Sequence, residues 1–310
     1  MKPPVLTVVG SFAVGMTLRT QRMPVFGETL LGSQFDLGPG GKGSNQAVSC
    51  ARLGAESHFV GLIGEDKLGE IATQLYRNEG VRTEFMATTP AAATGVGFII
   101  VNAKGENGII LDMGANQLMD RAFVAKAESL IARSDAVLAV LEIPLEAAAE
   151  AMALGRKHAV RTILNPAPAA ALPDEMLRHV DLLTPNETEL RILMGLRADD
   201  AADTRELARE LHRKFGITTI VTRGENGMLL VEDGRVMEFS AIPVEVIDSA
   251  GAGDAFTAAL AVAMAEGKDI VSSIRFAGCN GSLACTKYGV VPSLASRAEV
   301  DRFLRKQGTV

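Results

Sequence analysis

The sequence predicts an α/β protein: a doubly wound sheet flanked by helices, with a small second β-sheet set into it. Three observations carry this. Short apolar runs alternate with helix-patterned stretches from residue 59 onward. Two Gly-punctuated regions, at about 13–38 and 93–113, hold strand-like runs with no helix between them. No internal repeat, low-complexity tract or Gly/Ser linker divides the 310 residues, so residues 1–310 read as one domain with those two regions inserted.

Taken in order, residues 5–9 form a buried first strand ending at Gly10, and residues 29–35 an exposed strand. A Gly-rich stretch at 38–48 opens a helix that stops at Gly54, a residue suited to the C′ position. Residues 59–63 are a strand and 67–78 a helix ended by Gly80. Residues 95–101 and 108–111 are strands joined across the turn-rich loop 102–107. Then come a helix at 121–133, a strand at 136–141, an Ala-rich helix at 145–157 and a strand at 162–165. Leu182 and Leu183 centre the next strand. Helices follow at 187–194 and at 204–215, the second closed by Gly216, then a strand at 218–222. Residues 243–247 read as a strand leading into a tight turn, and 256–265 as an Ala-rich helix.

Composition excludes several classes. The net charge of −6 is the wrong sign for a nucleic-acid partner. No apolar run is long enough to span a membrane, and Lys2 is followed by prolines and a strand-like run rather than a signal peptide. Cys50, Cys279 and Cys285 have no metal-like spacing and read as reduced thiols of a cytoplasmic protein. His58, His158, His179 and His212 are scattered and read as structural.

The chemistry centres on Asp248-Ser249-Ala250-Gly251-Ala252-Gly253-Asp254-Ala255-Phe256. Gly251 and Gly253 fall in a strand-to-helix turn, where backbone N–H groups and the positive helix end make an anion cradle. Asp254 is either an N-cap or a proton acceptor facing a hydroxyl nucleophile. The whole string resembles the C-terminal motif of the PfkB carbohydrate kinases, the ribokinase-like family, with Ser249 for the usual Thr. The stretch Gly38-Pro39-Gly40-Gly41-Lys42-Gly43-Ser44-Asn45 is no Walker A loop, because Lys42 precedes Gly43 rather than Ser or Thr. It matches G-x-G-x-x-G by letter alone, without the strand and acidic residue of a dinucleotide site. It resembles the family's N-terminal motif.

The resemblance covers nearly the whole chain. It implies transfer of the γ-phosphoryl group of ATP to a sugar hydroxyl, first D-ribose to ribose 5-phosphate, alternatively another substrate such as deoxyribose, a ketose or a nucleoside. It makes Asp254 the catalytic base and the amides of Gly251, Ala252 and Gly253 the anion hole. Gly41, Lys42, Asn45 and Glu142 would bind the sugar, with Asp254. Asn186, Thr222, Gly224, Gly253 and Asn280 would bind ATP. Asn186 and Glu189 lie in a stretch resembling the family's N-x-x-E element, so Glu189 would organise Mg2+ through water; the bland reading of that element is an N-cap with acidic first-turn residues. Asp248, Ala250, Ala284, Lys287, Gly289 and Ser293 would ligate a monovalent cation, K+, through hard oxygens. The small sheet would be a lid over the sugar, paired between subunits of a homodimer. One departure bears on the substrate. Ala13 and Gly15 stand where ribokinase-type relatives carry Asn and a sugar-gripping Asp, and Gly278 where relatives often carry Asn. A non-catalytic sugar-binding protein would keep the fold but lose the base or the anion hole, and both are present here.

Overall fold

The computed structural model describes residues 2–308; Met1, Thr309 and Val310 lie outside the described residues. Among the described residues, thirteen strands form two sheets. In chain order they are β1 (Val5–Val9), β2 (Ala13–Arg19), β3 (Ser33–Gly40), β4 (Glu56–Gly64), β5 (Arg82–Thr89), β6 (Gly95–Val101), β7 (Asn107–Asp112), β8 (Ala136–Val140), β9 (Arg161–Asn165), β10 (Leu182–Leu183), β11 (Thr218–Thr222), β12 (Met228–Glu232) and β13 (Arg235–Phe239).

The large sheet has the order β13-β12-β11-β10-β9-β8-β1-β4-β5. β5 through β11 in that row run parallel, and β12 and β13 close one edge antiparallel. Period-2 alternation sends side chains to opposite faces. Leu6, Val8, Leu138, Ile163 and Ile220 pack one face against the helices Lys42–Arg52, Ala252–Ala265 and Ile270–Ala284. Val9, Val137, Leu164 and Val221 pack the other against Leu145–Lys157 and Thr204–Phe215. Both faces are covered, as a parallel sheet requires. Leu138 is fully buried mid-sheet. Leu138→Ala is expected to cost about 2–5 kcal/mol, read from a denaturant midpoint.

The small sheet has the order β3-β2-β6-β7. Its register aligns glycines across three strands. Ala13 pairs with Gly40 and Gly95, and Gly15 pairs with Gly38 and Gly97. The two rows lie two residues apart and so share a face, on which six positions carry one methyl group.

The α/β fold with its separate small sheet is as expected, but several elements differ. Residues 243–247 form no strand: the Ile247 and Asp248 N–H groups donate to Cys285 O, so the segment is tied to a loop instead of a sheet edge. The expected helix at 121–133 is two short pieces, Arg121–Ala125 and Glu128–Ile131. Bonds of the i→i+3 kind at Lys126 and Ala127 tighten the chain between them and keep Val124, Ala127, Leu130 and Ile131 all buried. The strand read at 29–35 begins only at Ser33 and runs to Gly40. β5, β12 and β13 went unread because their burial mixes exposed and buried positions or their bounding turns are short.

Candidate active site

The parallel strands end on one side, where ligands of such sheets bind. Ser11 follows β1, Glu142 follows β8, Asn165 ends β9, Asn186 follows β10 and Thr222 ends β11.

Asp254 lies in the first turn of the helix Ala252–Ala265, three residues past Gly251. Gly251 has φ 79°, the left-handed conformation that glycine adopts freely, and a Cβ there would meet Val290 Cγ1 at 2.4 Å. The first bond of the helical ladder is Ala255 N–H to Gly251 O, 2.9 Å, so the N–H groups of Gly253 and Asp254 precede the ladder. The Ala252 N–H instead donates to Ser249 O, 3.3 Å. Nothing stands within 4 Å of a Cβ built on Gly253, leaving its backbone open to approach. Asp254 does not cap the helix. Its carboxylate is buried and accepts from Asn45 Nδ2 at 2.8 Å, Gln46 Nε2 at 3.1 Å and Asn165 Nδ2 at 3.4 Å. Burial raises its pKa; Lys42 and the amides of Asn45 and Gln46 oppose that.

The helix Lys42–Arg52 brings three of these groups to Asp254. Gly41 precedes it with φ 90°, and a Cβ there would sit 2.8 Å from Phe12 Cα and Ala13 N. The Lys42 N–H and the Ser11 hydroxyl both donate to Glu142 Oε2, at 2.7 and 2.5 Å. Burial raises the Glu142 pKa despite those two donors. Burial works against the Lys42 ammonium, but Asp254, Glu142 and Glu189 together raise its pKa above the ordinary lysine value. One ammonium thus faces three carboxylates in a largely desolvated space, an arrangement rich in donors and acceptors for a polyhydroxyl compound.

On the β10–β11 side, Asn186 and Thr222 are joined by an isolated parallel bridge, and the Thr222 N–H donates to Pro185 O at 2.9 Å. Asn186 and Glu189 form a full capping box on the helix Glu187–Leu193, each side chain bonded to the other's backbone N–H at 2.8 Å. The bland reading of this element is therefore realised. Glu189 also lies close enough to Lys42 and Asp254 for their charges to move its pKa, which burial raises. Gly224 has φ 55° in the turn joining β11 to β12.

Asn280 is fully buried inside the helix Ile270–Ala284, and its Nδ2 donates to Ala255 O at 2.7 Å and Ser49 Oγ at 3.2 Å, bonds that tie that helix to its neighbours. At Gly278 a Cβ would meet the Met228 side chain at 3.2 Å.

The segments expected to hold a monovalent cation converge. Asp248 Oδ1 accepts the Ala250 N–H at 3.0 Å and Oδ2 the Gly289 N–H at 3.4 Å. Ser293 is buried and its hydroxyl donates to Val290 O at 2.7 Å, which leaves its lone pairs as oxygen donors. Backbone oxygens of these segments with the Ser293 hydroxyl would be hard-oxygen donors of the kind such an ion takes. Among the described residues no group of three or more His, Cys, Asp or Glu side chains could hold a metal by itself.

Gln46 and Asn165 escaped sequence reasoning as contacts of Asp254. Gln46 sat inside the N-terminal motif and Asn165 at a strand carboxyl end, and those placements were the available signals.

A glycine-opened helix start beside a buried carboxylate and ammonium, at the carboxyl edge of a parallel sheet, defines a phosphotransferase acting on a hydroxyl compound. The sequence matches the pfkB family carbohydrate kinase model over residues 5–297, and the chain belongs to that family of ATP-dependent sugar kinases. It is 36% identical over 299 residues to a protein named ribokinase from Haemophilus influenzae, covering 96% of this chain and 98% of that one. It is 32% identical over 300 residues to a deoxyribokinase of Salmonella typhi, covering 96% and 98%. Among solved structures, Arabidopsis thaliana ribokinase complexed with ribose and ATP superposes with a TM-score of 0.91 at 32% identity, covering 98% of this chain and 99% of that one.

Proposed function

We propose that this kinase phosphorylates D-ribose, giving ribose 5-phosphate. The observation that carries the reading is the buried Asp254 carboxylate beside the Gly251 helix start, with Lys42, Asn45 and Glu142 around it. Asp254 accepts the proton of the attacking hydroxyl. The backbone N–H groups of Gly251 to Gly253 receive the phosphoryl charge, the Ala252 N–H by leaving Ser249 O. Lys42, Asn45 and Glu142 orient the sugar through its hydroxyls; Asn45 Oδ1, buried without a partner, is an acceptor suited to one of them. Asn186, Thr222 and Gly224 hold ATP. Glu189 would be the outer partner, through water, of a Mg2+ carried by the ATP phosphates, and such an ion would offset their charge. Asp248, Ala250, Ala284, Lys287, Gly289 and Ser293 would hold a K+, whose charge would steady the loop carrying Val290, the residue beside Gly251.

One observation favours a second reading. The glycine-paved face of the small sheet replaces polar side chains with room, and Cβ atoms built on Gly38 and Gly15 meet nothing closer than 3.6 Å. A sugar with one hydroxyl fewer, such as 2-deoxyribose, or a bulkier nucleoside or ketose, fits that space. The deciding experiment is ADP release from ATP with D-ribose, 2-deoxyribose, ketoses and nucleosides, with Mg2+ and with or without K+. D-ribose as the best substrate by kcat/KM supports the first reading; preference for another member replaces it. Sugar binding without turnover by any would point to a non-catalytic protein.

The small sheet acts as a lid and pairs two subunits. Met16, Leu37, Phe98 and Ile110 form one register row, with Phe98 51% and Ile110 72% exposed. An apolar row of this kind favours burial against a copy of itself. Phe98→Asp with Ile110→Asp is expected to shift a dimer to monomers in sedimentation velocity. A cytoplasmic location is supported by the three unpaired cysteines. Among the described residues no helix is long and apolar enough to cross a membrane.

A further inference from the structure

The two oxygens of the Asp254 carboxylate are not equivalent. Oδ2 accepts one hydrogen bond, from Asn45 at 2.8 Å. Oδ1 accepts two, from Gln46 at 3.1 Å and Asn165 at 3.4 Å. Gln46 is fully buried and comes from the helix Lys42–Arg52, whereas Asn165 comes from the end of β9 on the far side. A carboxylate oxygen offers two in-plane lone pairs. Those of Oδ1 are both taken, and Oδ2 keeps one.

We infer that Gln46 is a positioning residue for phosphoryl transfer: with Asn165 it saturates Oδ1, and so assigns Oδ2 as the oxygen that takes the sugar hydroxyl proton. The inference rests on Asp254 being the base. As the hydroxyl oxygen bonds to the γ-phosphorus, the bond from that phosphorus to the ADP oxygen breaks. The hydroxyl proton passes to Oδ2 and returns to solvent after product leaves. A carboxylate free to rotate would present either oxygen, in either of two directions, and lose alignment. The Gln46 amide also keeps the buried carboxylate ionised, since its N–H favours the charged form. The charged groups facing Asp254 are Lys42 from the same helix, Glu142 after β8 and Glu189 on the helix after β10. None of them is changed by substituting Gln46.

The test compares the acid limb of the kcat–pH profile in wild type, Gln46→Met and Gln46→Glu. Activity needs ionised Asp254, so a higher carboxyl pKa moves this limb to higher pH. Gln46→Met removes the donor, and the limb is expected to rise by about one to two pH units. Turnover then falls roughly tenfold or more below the limb and recovers substantially above it. Gln46→Glu keeps the shape and adds a carboxylate, so its limb should lie higher still. Asn165→Ala, which removes the longer bond, should give a smaller shift in the same direction. Titration of the Asp254 carboxyl carbon by 13C NMR reads the same order without substrate. A purely structural role gives the opposite ranking, with Glu nearest to wild type, or a loss uniform in pH; either result overturns the inference. Coincident limbs alongside an inactive Asp254→Asn enzyme defeat this inference alone. An active Asp254→Asn enzyme defeats the assignment of the base itself.

Discussion

Asp254→Asn is expected to lower turnover by roughly 10²–10⁴-fold, the usual share of a positioned general base, with folding intact. The amide has nearly the carboxylate's shape. Its new N–H groups meet the donors of Asn45, Gln46 and Asn165, but Asn45 Oδ1 and Gln46 Oε1 are buried without partners and can accept after an amide flip. The sign for stability follows from burial, which holds the Asp254 pKa above its unfolded value. The unfolded chain therefore releases this proton at lower pH than the folded one. Stability is lost as pH rises between the two values, and the penalty persists above them. The neutral Asn removes that penalty, so the variant should melt no lower than wild type at pH 7. Steady-state turnover and a thermal melt on the same preparation check both halves. Near-normal turnover in a folded variant would sink the role given to Asp254.

Gly251→Ala is the second large effect. The residue sits at φ 79°, where an added Cβ costs roughly 1–2 kcal/mol in backbone strain. The Cβ also lands 2.4 Å from Val290 Cγ1, so either the turn or the loop carrying Val290 must move. Both border the N–H groups proposed to receive the phosphoryl charge, and losing one such donor costs about 10²–10³ in kcat. The drop should fall on kcat more than on the KM for sugar, because Lys42, Asn45 and Glu142 lie on other elements. Adding Val290→Ala relieves the steric part and should restore only a fraction of the activity, since φ is unchanged. Full restoration would assign the loss to crowding alone.

The sequence made the large architecture legible because burial on both faces of a parallel sheet leaves near-continuous apolar runs, as at Val5–Val9 and Ala136–Val140. The strand expected at 243–247 fails for a related reason. Val246 and Ile247 are apolar and β-branched yet 64% and 43% exposed, and composition cannot say whether a sheet edge stands nearby to pair with. The expected helix at 121–133 has the right periodicity, and only the local tightening at Lys126 divides it.

By itself, the sequence determined the family and the two stretches the fold brings together: Asp254 behind a Gly-Ala-Gly turn, and Lys42 and Asn45 behind a Gly-rich helix start. These are local, because a turn that exposes backbone N–H groups to an anion must be built from neighbouring residues of small size. Only the tertiary structure decided how the Asp254 carboxylate is held. Gln46 and Asn165 meet Asp254 across 208 and 89 residues of chain, and Ser11 meets Glu142 across 131. It also shows Asn280 bonded to Ala255 O and Ser49 Oγ within the helix packing, partners that its residue type does not announce. An amide side chain looks the same in sequence whether it grips a carboxylate, a nucleotide or a neighbouring helix. Its partner is set by which strand ends and helix faces the fold brings within hydrogen-bond reach, and no local pattern encodes that distance.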